Sequence, residues 1–223
     1  MKILNLYCGI GGNRLLWKNC DVTAVELNEE IAKSYKSFFP NDTVVVGDAH
    51  KYLLEHHNEF DFIWSSPPCP THGQYRYNVG FRAKNYKPVY PDMQLYEEII
   101  LLKYYYIGHY VVENVKPFYD PLIEPTAILQ RHLFWSSFNI EYKKFGAKKI
   151  RSKNKISDYA DIGFDITKTK IRNKRQVLRN CVNSELGLHI YNQMLKFVEP
   201  KHENNIDVDK FIVNWDDDDN NKY

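Results

Sequence analysis

The chemistry of this chain starts from one cysteine set behind two prolines. Ser66-Pro67-Pro68-Cys69-Pro70 follows the apolar run 60–64, and a strand that stops at two prolines cannot pass smoothly into a helix. Cys69 is therefore expected in an irregular loop at a strand's carboxyl end, where open α/β sheets place their ligands, and it is a candidate nucleophile. A second strand end of this kind is Glu113-Asn114-Val115, after the run 109–112. A thiolate beside a carboxyl group is a specific pairing, whereas Glu113 alone is as readily a helix cap or a surface carboxylate. Three more strand ends offer a different chemistry. Gly9-Ile10-Gly11-Gly12 follows the run 3–8 and lets backbone approach an anionic ligand closely. Glu26, 14 positions after Gly12, can accept both hydroxyls of a ribose, and Asp48 can accept from an adenine amino group. Together they describe a pocket for an adenosine-bearing cofactor with an anionic amino-acid or phosphate end. The spacing is shorter than the roughly 20 residues usual for NAD.

Strand ends converge in this way only if the strands are parallel neighbours. Residues 3–8, 22–27, 43–46, 60–64 and 109–112 read as strands, with a further strand over 133–138. Helices are expected over 13–18, over 28–39 with Asn28 as cap and Pro40 as stop, over 50–57, over 93–106 and over 184–198. Strands alternating with helices at this spacing argue for a doubly wound, mostly parallel sheet covered on both faces.

Composition sets the outer bounds. A chain of 223 residues with 43% hydrophobic and 26% charged residues can bury a full core, and one domain with a small appendage is expected. No apolar run approaches the roughly 18 residues that span a bilayer, and no signal-peptide pattern precedes the first strand, so no membrane contact and a cytoplasmic location are expected. Cys8, Cys20, Cys69 and Cys181 form no CxxC pair and no zinc-ligand spacing; reduced thiols and no metal are expected. The net charge of +2 is unevenly spread: residues 143–175 hold twelve Lys or Arg against three Asp, while Asp216 to Asp219 form an acidic run in a polar tail.

The motifs, taken in order, resemble the cytosine-5 DNA methyltransferases. LYCGIGG at 6–12, the acid of AVELN at Glu26, GDA at 47–49, SPPCP at 66–70, ENV at 113–115 and RNCVNSELG at 179–187 match that family's blocks from residue 3 to about 195. The Pro-Pro-Cys and Glu-Asn-Val pair is the most specific part, and the compact size is similar to phage-borne members. The resemblance implies a Rossmann-like fold of the S-adenosylmethionine-dependent methyltransferase type with a short basic target-recognition insert. It implies S-adenosylmethionine as methyl donor, leaving as S-adenosylhomocysteine. The donor would be held by Tyr7, Gly9, Gly11, Gly12, Glu26, Leu27, Asp48, Ala49, Pro67, Asn180 and Val182. Cys69 would add to cytosine carbon 6, because carbon 5 alone is too poor a nucleophile to take a methyl group from a sulfonium. Glu113 would donate to, or share a proton with, ring nitrogen 3. Arg131 resembles the arginine that contacts the exocyclic oxygen, although the family usually has two closely spaced arginines there. Asn114 would support the cysteine loop, Pro68 and Asn114 would lie against the substrate, and the target base would have to leave the stack. The chain departs from the pattern at Pro70, where glutamine is usual, and at Arg179, where glycine is usual.

The resemblance also places the nucleic-acid contacts. Segment 71–92 carries Arg76, Arg82, Lys84 and Lys87 among Tyr75, Tyr77, Phe81, Tyr86 and Tyr90, a composition suited to phosphates and to the gap left by a flipped base. The boundaries expected are 1–138 with 176–200 for the catalytic and cofactor-binding domain, 139–175 for a short target-recognition region and 201–223 for the tail. So short a recognition region leaves little material for reading bases, and a short or relaxed target sequence is expected. DNA is the expected partner of a monomeric enzyme, associated with the nucleoid or, in a virus, with the host cell. RNA is the alternative, since one branch of the family acts on transfer RNA. An amino-group methyltransferase would share the cofactor half but typically puts an aromatic residue where Cys69 stands. A catalytically inactive nucleic-acid-binding relative is a third reading, against which Cys69 and Glu113 argue.

Overall fold

Apolar residues alternate between two buried faces along the central strands, and that alternation builds the sheet. The computed structural model describes residues 1–74, 77–78, 89–146 and 163–198. Among these the strands are β1 (Lys2–Leu6), β2 (Asp21–Glu26), β3 (Thr43–Val46), β4 (Phe62–Ser65), β5 (His109–Val115), β6 (Ala127–Leu129) and β7 (His132–Ser136). The helices are α1 (Glu29–Phe38), α2 (Ala49–His56), α3 (Gln94–Tyr104), α4 (Lys174–Asn180) and α5 (Ser184–Leu195). All seven strands form one sheet in the order β3-β2-β1-β4-β5-β7-β6. The first five run parallel, and β7 is antiparallel to both β5 and β6.

Ile3, Phe62, Trp64, Val111 and Phe134 pack on one face with Leu186, Ile190 and Met194 of α5. Their chain neighbours Leu4, Ile63, Val112, Leu133 and Trp135 pack on the other with Leu53 of α2 and Leu95, Ile99 and Leu102 of α3. A period of two with both faces apolar is what a sheet covered on both sides requires. The first face continues over β2 to α1, where Ala24 meets Tyr35 and Phe39. α1 begins at Asn28, whose side chain accepts from the Glu30 and Ile31 amides at 3.0 and 3.1 Å. Glu29 and Glu30 sit in its first turn and Lys36 in its last, each favourable to the helix dipole.

The expected doubly wound, mostly parallel sheet is therefore present, with several local differences. Residues 13–18 form no helix. The chain instead passes through linked turns, with amide-to-carbonyl bonds from Gly11 to Cys8, Arg14 to Gly11 and Trp17 to Arg14. Tertiary side-chain bonds outweigh helical propensity there. Asn13 pairs with Asn5 at 2.8 Å, and Arg14 forms a two-point salt bridge with Asp42 at 2.9 and 3.0 Å. β5 runs on through Glu113-Asn114-Val115, because the edge hairpin β6–β7 gives those residues antiparallel partners. β6 and α4 were not foreseen; β6 has three residues, and no side chain caps α4. Among the described residues no helix is long and apolar enough to cross a membrane.

Candidate active site

The sheet reverses its order between β1 and β4, the point at which an open α/β sheet leaves a crevice beyond its carboxyl ends. A cavity of about 530 Å³ occupies that place. Of the residues expected to hold a cofactor, Tyr7, Gly9, Gly12, Glu26, Leu27, Asp48, Ala49, Pro67, Asn180 and Val182 line it. Cys69, Glu113, Arg131, Pro68 and Asn114 line it as well. Gly11 does not line it. With φ of 88°, Gly11 turns the chain against α1, and a methyl group there would strike the Phe39 and Tyr35 rings. Arg76, Arg82 and Lys84 lie outside the described residues, as do Tyr75, Phe81, Tyr86 and Lys87, the middle of the basic stretch (147–162) and the tail 201–223.

The half of the cavity around Glu26 is built from short polar contacts. One oxygen of Glu26 accepts from the Gly9 amide at 3.1 Å and the other from the Asn28 amide at 2.9 Å. A carboxylate has about four acceptor positions, so this one remains able to take two hydroxyls while the turn and strand hold it still. Asp48 caps α2 through one oxygen, accepting from Lys51 at 3.1 Å. Leu27 beside them is 73% exposed, an uncovered apolar side chain on which a flat ring would rest. A cavity of this size lined by an acid, a backbone turn and apolar surface fits an adenosine-bearing molecule.

The last motif forms the opposite wall. Asn180 ends α4 and Asn183 caps α5, accepting from the Glu185 and Leu186 amides at 2.8 and 3.1 Å. Between them, Cys181 and Val182 press so closely on Gly12 that a methyl group there would overlap the Cys181 sulfur and the Val182 carbonyl. Gly187 meets the Asn13 backbone in the same way, and its carbonyl accepts from Trp17 Nε1 at 3.2 Å. Gly12→Ala is therefore expected to cost about 1–3 kcal/mol through overpacking. Thermal unfolding would show this as a fall of several degrees; an unchanged Tm would mean the wall yields freely.

At the reactive end, Asn114 Nδ2 donates to the Pro67 carbonyl at 3.1 Å, and its Oδ1 accepts from the Val115 amide at 2.9 Å. β5 thereby holds the Pro-Pro-Cys turn directly. The His72 and Gly73 amides both donate to the Cys69 carbonyl at 3.1 Å. Burial pushes the Cys69 thiol pKa up, the Glu113 carboxylate pushes it further, and Arg131 pulls it down. Glu113 is 7% exposed. Arg131 sits on the two-residue turn joining β6 to β7, whose first residue Gln130 has φ of 56°. Its carbonyl accepts from the Lys116 amide at 3.0 Å.

One neighbour was missed. His132 lines the cavity with Nε2 3.5 Å from Glu113 Oε1. Burial lowers its pKa, and its buried Nδ1 has no hydrogen-bond partner among the described residues. It pairs with Val115 in the β5–β7 ladder and so shares a face with Glu113. In the sequence its only signal is its place next to Arg131. Gln176 and Arg179 of α4 also line the cavity. Among the described residues no group of His, Cys, Asp and Glu could hold a metal ion.

The sequence model of the C-5 cytosine-specific DNA methylase family matches residues 1–121. A search of curated proteins finds no match. Among solved structures the chain is similar to a mutant DNMT2 of Spodoptera frugiperda, with 25% identity, 54% of this chain and 37% of that one covered, and a TM-score of 0.36. The chain thus spans little more than a third of that relative. It is similar to the Entamoeba histolytica methyltransferase EhMeth at 18% identity, covering 71% of this chain and 59% of that one with a TM-score of 0.41. A TehB-like SAM-dependent methyltransferase of Corynebacterium glutamicum shares 24% identity over 51% of this chain and 54% of its own, with a TM-score of 0.32.

Proposed function

This chain belongs to the C-5 cytosine-specific DNA methylase family, and we propose that it transfers a methyl group from S-adenosylmethionine to carbon 5 of a flipped-out cytosine in DNA. One observation carries the reading. The thiol of Cys69, the carboxyl of Glu113 and the adenosine-type pocket around Glu26 share a single cavity.

Bound in the donor half, S-adenosylmethionine supplies an electrophilic methyl group. Glu26 would hold its ribose, Asp48 its adenine amino group, and Leu27 the ring face. The Cys69 sulfur, as thiolate, bonds to carbon 6 of the base and pushes the electron pair of the 5,6 double bond to carbon 5. Glu113 holds a proton at ring nitrogen 3 and so limits the negative charge that builds up on the ring. Asn114 keeps the Pro67 carbonyl, and with it the cysteine turn, at the height of the base. Arg131, which lines the same cavity, would meet the exocyclic oxygen. With the methyl group on carbon 5 and S-adenosylhomocysteine released, a base takes the carbon 5 proton, that C–H electron pair re-forms the 5,6 double bond, and the bond from carbon 6 to Cys69 breaks to return the thiolate.

A stacked base cannot reach a thiol that lines a cavity, so the cytosine must leave the duplex. The division into a catalytic body, a short recognition region at 139–175 and a tail belongs to the same proposal. So do a monomeric state and a metal-free reaction. The test is incubation of the full chain and S-adenosylmethionine with DNA, and separately RNA, containing 5-fluorocytosine. Fluorine at carbon 5 blocks proton loss and should leave Cys69 covalently attached to DNA. Attachment to RNA alone would change the substrate, and attachment to neither would overturn the mechanism.

A further inference from the structure

Glu98 does not line the cavity, yet it is completely buried in α3. Three donors converge on it. The Tyr7 hydroxyl lies 2.6 Å from Oε1, His50 Nδ1 lies 3.1 Å from the same atom, and the Ser65 hydroxyl lies 2.5 Å from Oε2. A buried carboxylate without partners costs several kcal/mol, which explains why the core supplies three. Since a carboxylate only accepts, all three neighbours are fixed as donors.

Those neighbours belong to the three segments that frame the donor half. Tyr7 leaves β1 with φ of 54°, a conformation that costs about 1–3 kcal/mol for a residue other than glycine, and leads into the Gly9 turn. Ser65 is the last residue of β4, immediately before Ser66 and Pro67. His50 stands in the first turn of α2, beside Asp48 and Ala49. Tyr7, Pro67, Asp48 and Ala49 all line the cavity, so one buried acceptor behind the wall ties its three sides together.

We propose that Glu98 is a positioning residue for the methyl donor, setting the placement of the β1 turn, the start of the Pro-Pro-Cys loop and the amino end of α2. The proposal rests on the reading of this cavity as the donor site. Burial and the adjacent Glu98 push the Tyr7 phenol well above its usual range, so it stays a donor at every working pH. His50 faces Glu98 and, at 3.4 Å, Glu97 from α3, with Asp48 on its own helix cap and the Tyr7 hydroxyl on the shared oxygen. The bond to Glu98 raises the His50 pKa against the effect of burial. A raised histidine pKa means that the charged pair is intact below that pKa and is lost as pH rises through it. Donor affinity should fall over the same interval.

The experiment is calorimetric titration of the full chain with S-adenosylhomocysteine from about pH 6 to about pH 9, for the wild type, Glu98→Gln and Ser65→Ala. Each variant should bind about tenfold more weakly, the effect of losing one charge-assisted hydrogen bond, while the KM for nucleic acid stays within about twofold. The weakening with pH seen in the wild type should be absent in Glu98→Gln. Ser65→Ala removes a single oxygen from a residue that does not line the cavity and keeps the test decisive if Glu98→Gln does not fold. If the wild type binds and both variants bind as well as it does, the positioning role is wrong while the donor site stands. The role is equally wrong if the KM for nucleic acid moves in parallel, since that marks a general loss of structure. If the wild type does not bind S-adenosylhomocysteine, the reading of the cavity fails and the proposal with it.

Discussion

Cys69→Ala removes the covalent adduct with 5-fluorocytosine DNA and lowers turnover by a factor on the order of 10⁴ or more, the scale on which nucleophile deletions fall. Among the described residues the other cysteines stand apart from Glu113: Cys8 is buried, Cys181 meets Gly12 at the far wall, and Cys20 does not line the cavity. Binding of S-adenosylhomocysteine should survive, because the groups around Glu26 are untouched. Retention of more than about 1% of turnover in a quenched methyl-transfer assay would exclude the covalent route.

Glu113→Gln should reveal two opposite effects of one carboxyl group. The carboxylate helps hold the Cys69 pKa up, so the amide variant should form thiolate more readily. Alkylation of the Cys69 peptide by iodoacetamide, read by mass spectrometry, should be faster at a given pH. Turnover should nevertheless fall by about 10²–10⁴, because the group that manages the proton at ring nitrogen 3 is gone. A faster thiol in a slower enzyme separates nucleophile formation from stabilisation of the attacked ring. If alkylation is unchanged and turnover intact, Glu113 neither sets the thiol nor handles the proton.

The sheet was legible because β1, β4 and β5 alternate apolar residues onto two buried faces, and because Gly9 and the Pro67-Pro68 pair mark where two of its strands give way to site loops, whereas β5 runs on past Glu113-Asn114. The shared cavity lining of Glu26 and Asp48 was legible from their places at the ends of β2 and β3. What escaped the sequence depends on contacts between distant residues. The segment after Gly12 carries helix-compatible residues, but Asn5 and Asp42 take its side chains elsewhere. β6 is too short to signal itself and exists because β7 needs an edge partner. Nothing in the sequence around Glu98 sets it apart from other glutamates on a helix. Its importance comes from Tyr7 and Ser65, which lie 91 and 33 positions away.

The closure of the first turn by the last motif bears on how the enzyme is made. Trp17 and the carbonyl it binds at Gly187 are 170 positions apart. At roughly 5–20 residues per second, the ribosome delivers the second about 10 to 30 s after the first. A nascent chain that already holds Cys69 and Glu113 still lacks one side of the cavity. Activity should therefore switch on late and in one step as α5 docks, rather than grow as the sheet assembles.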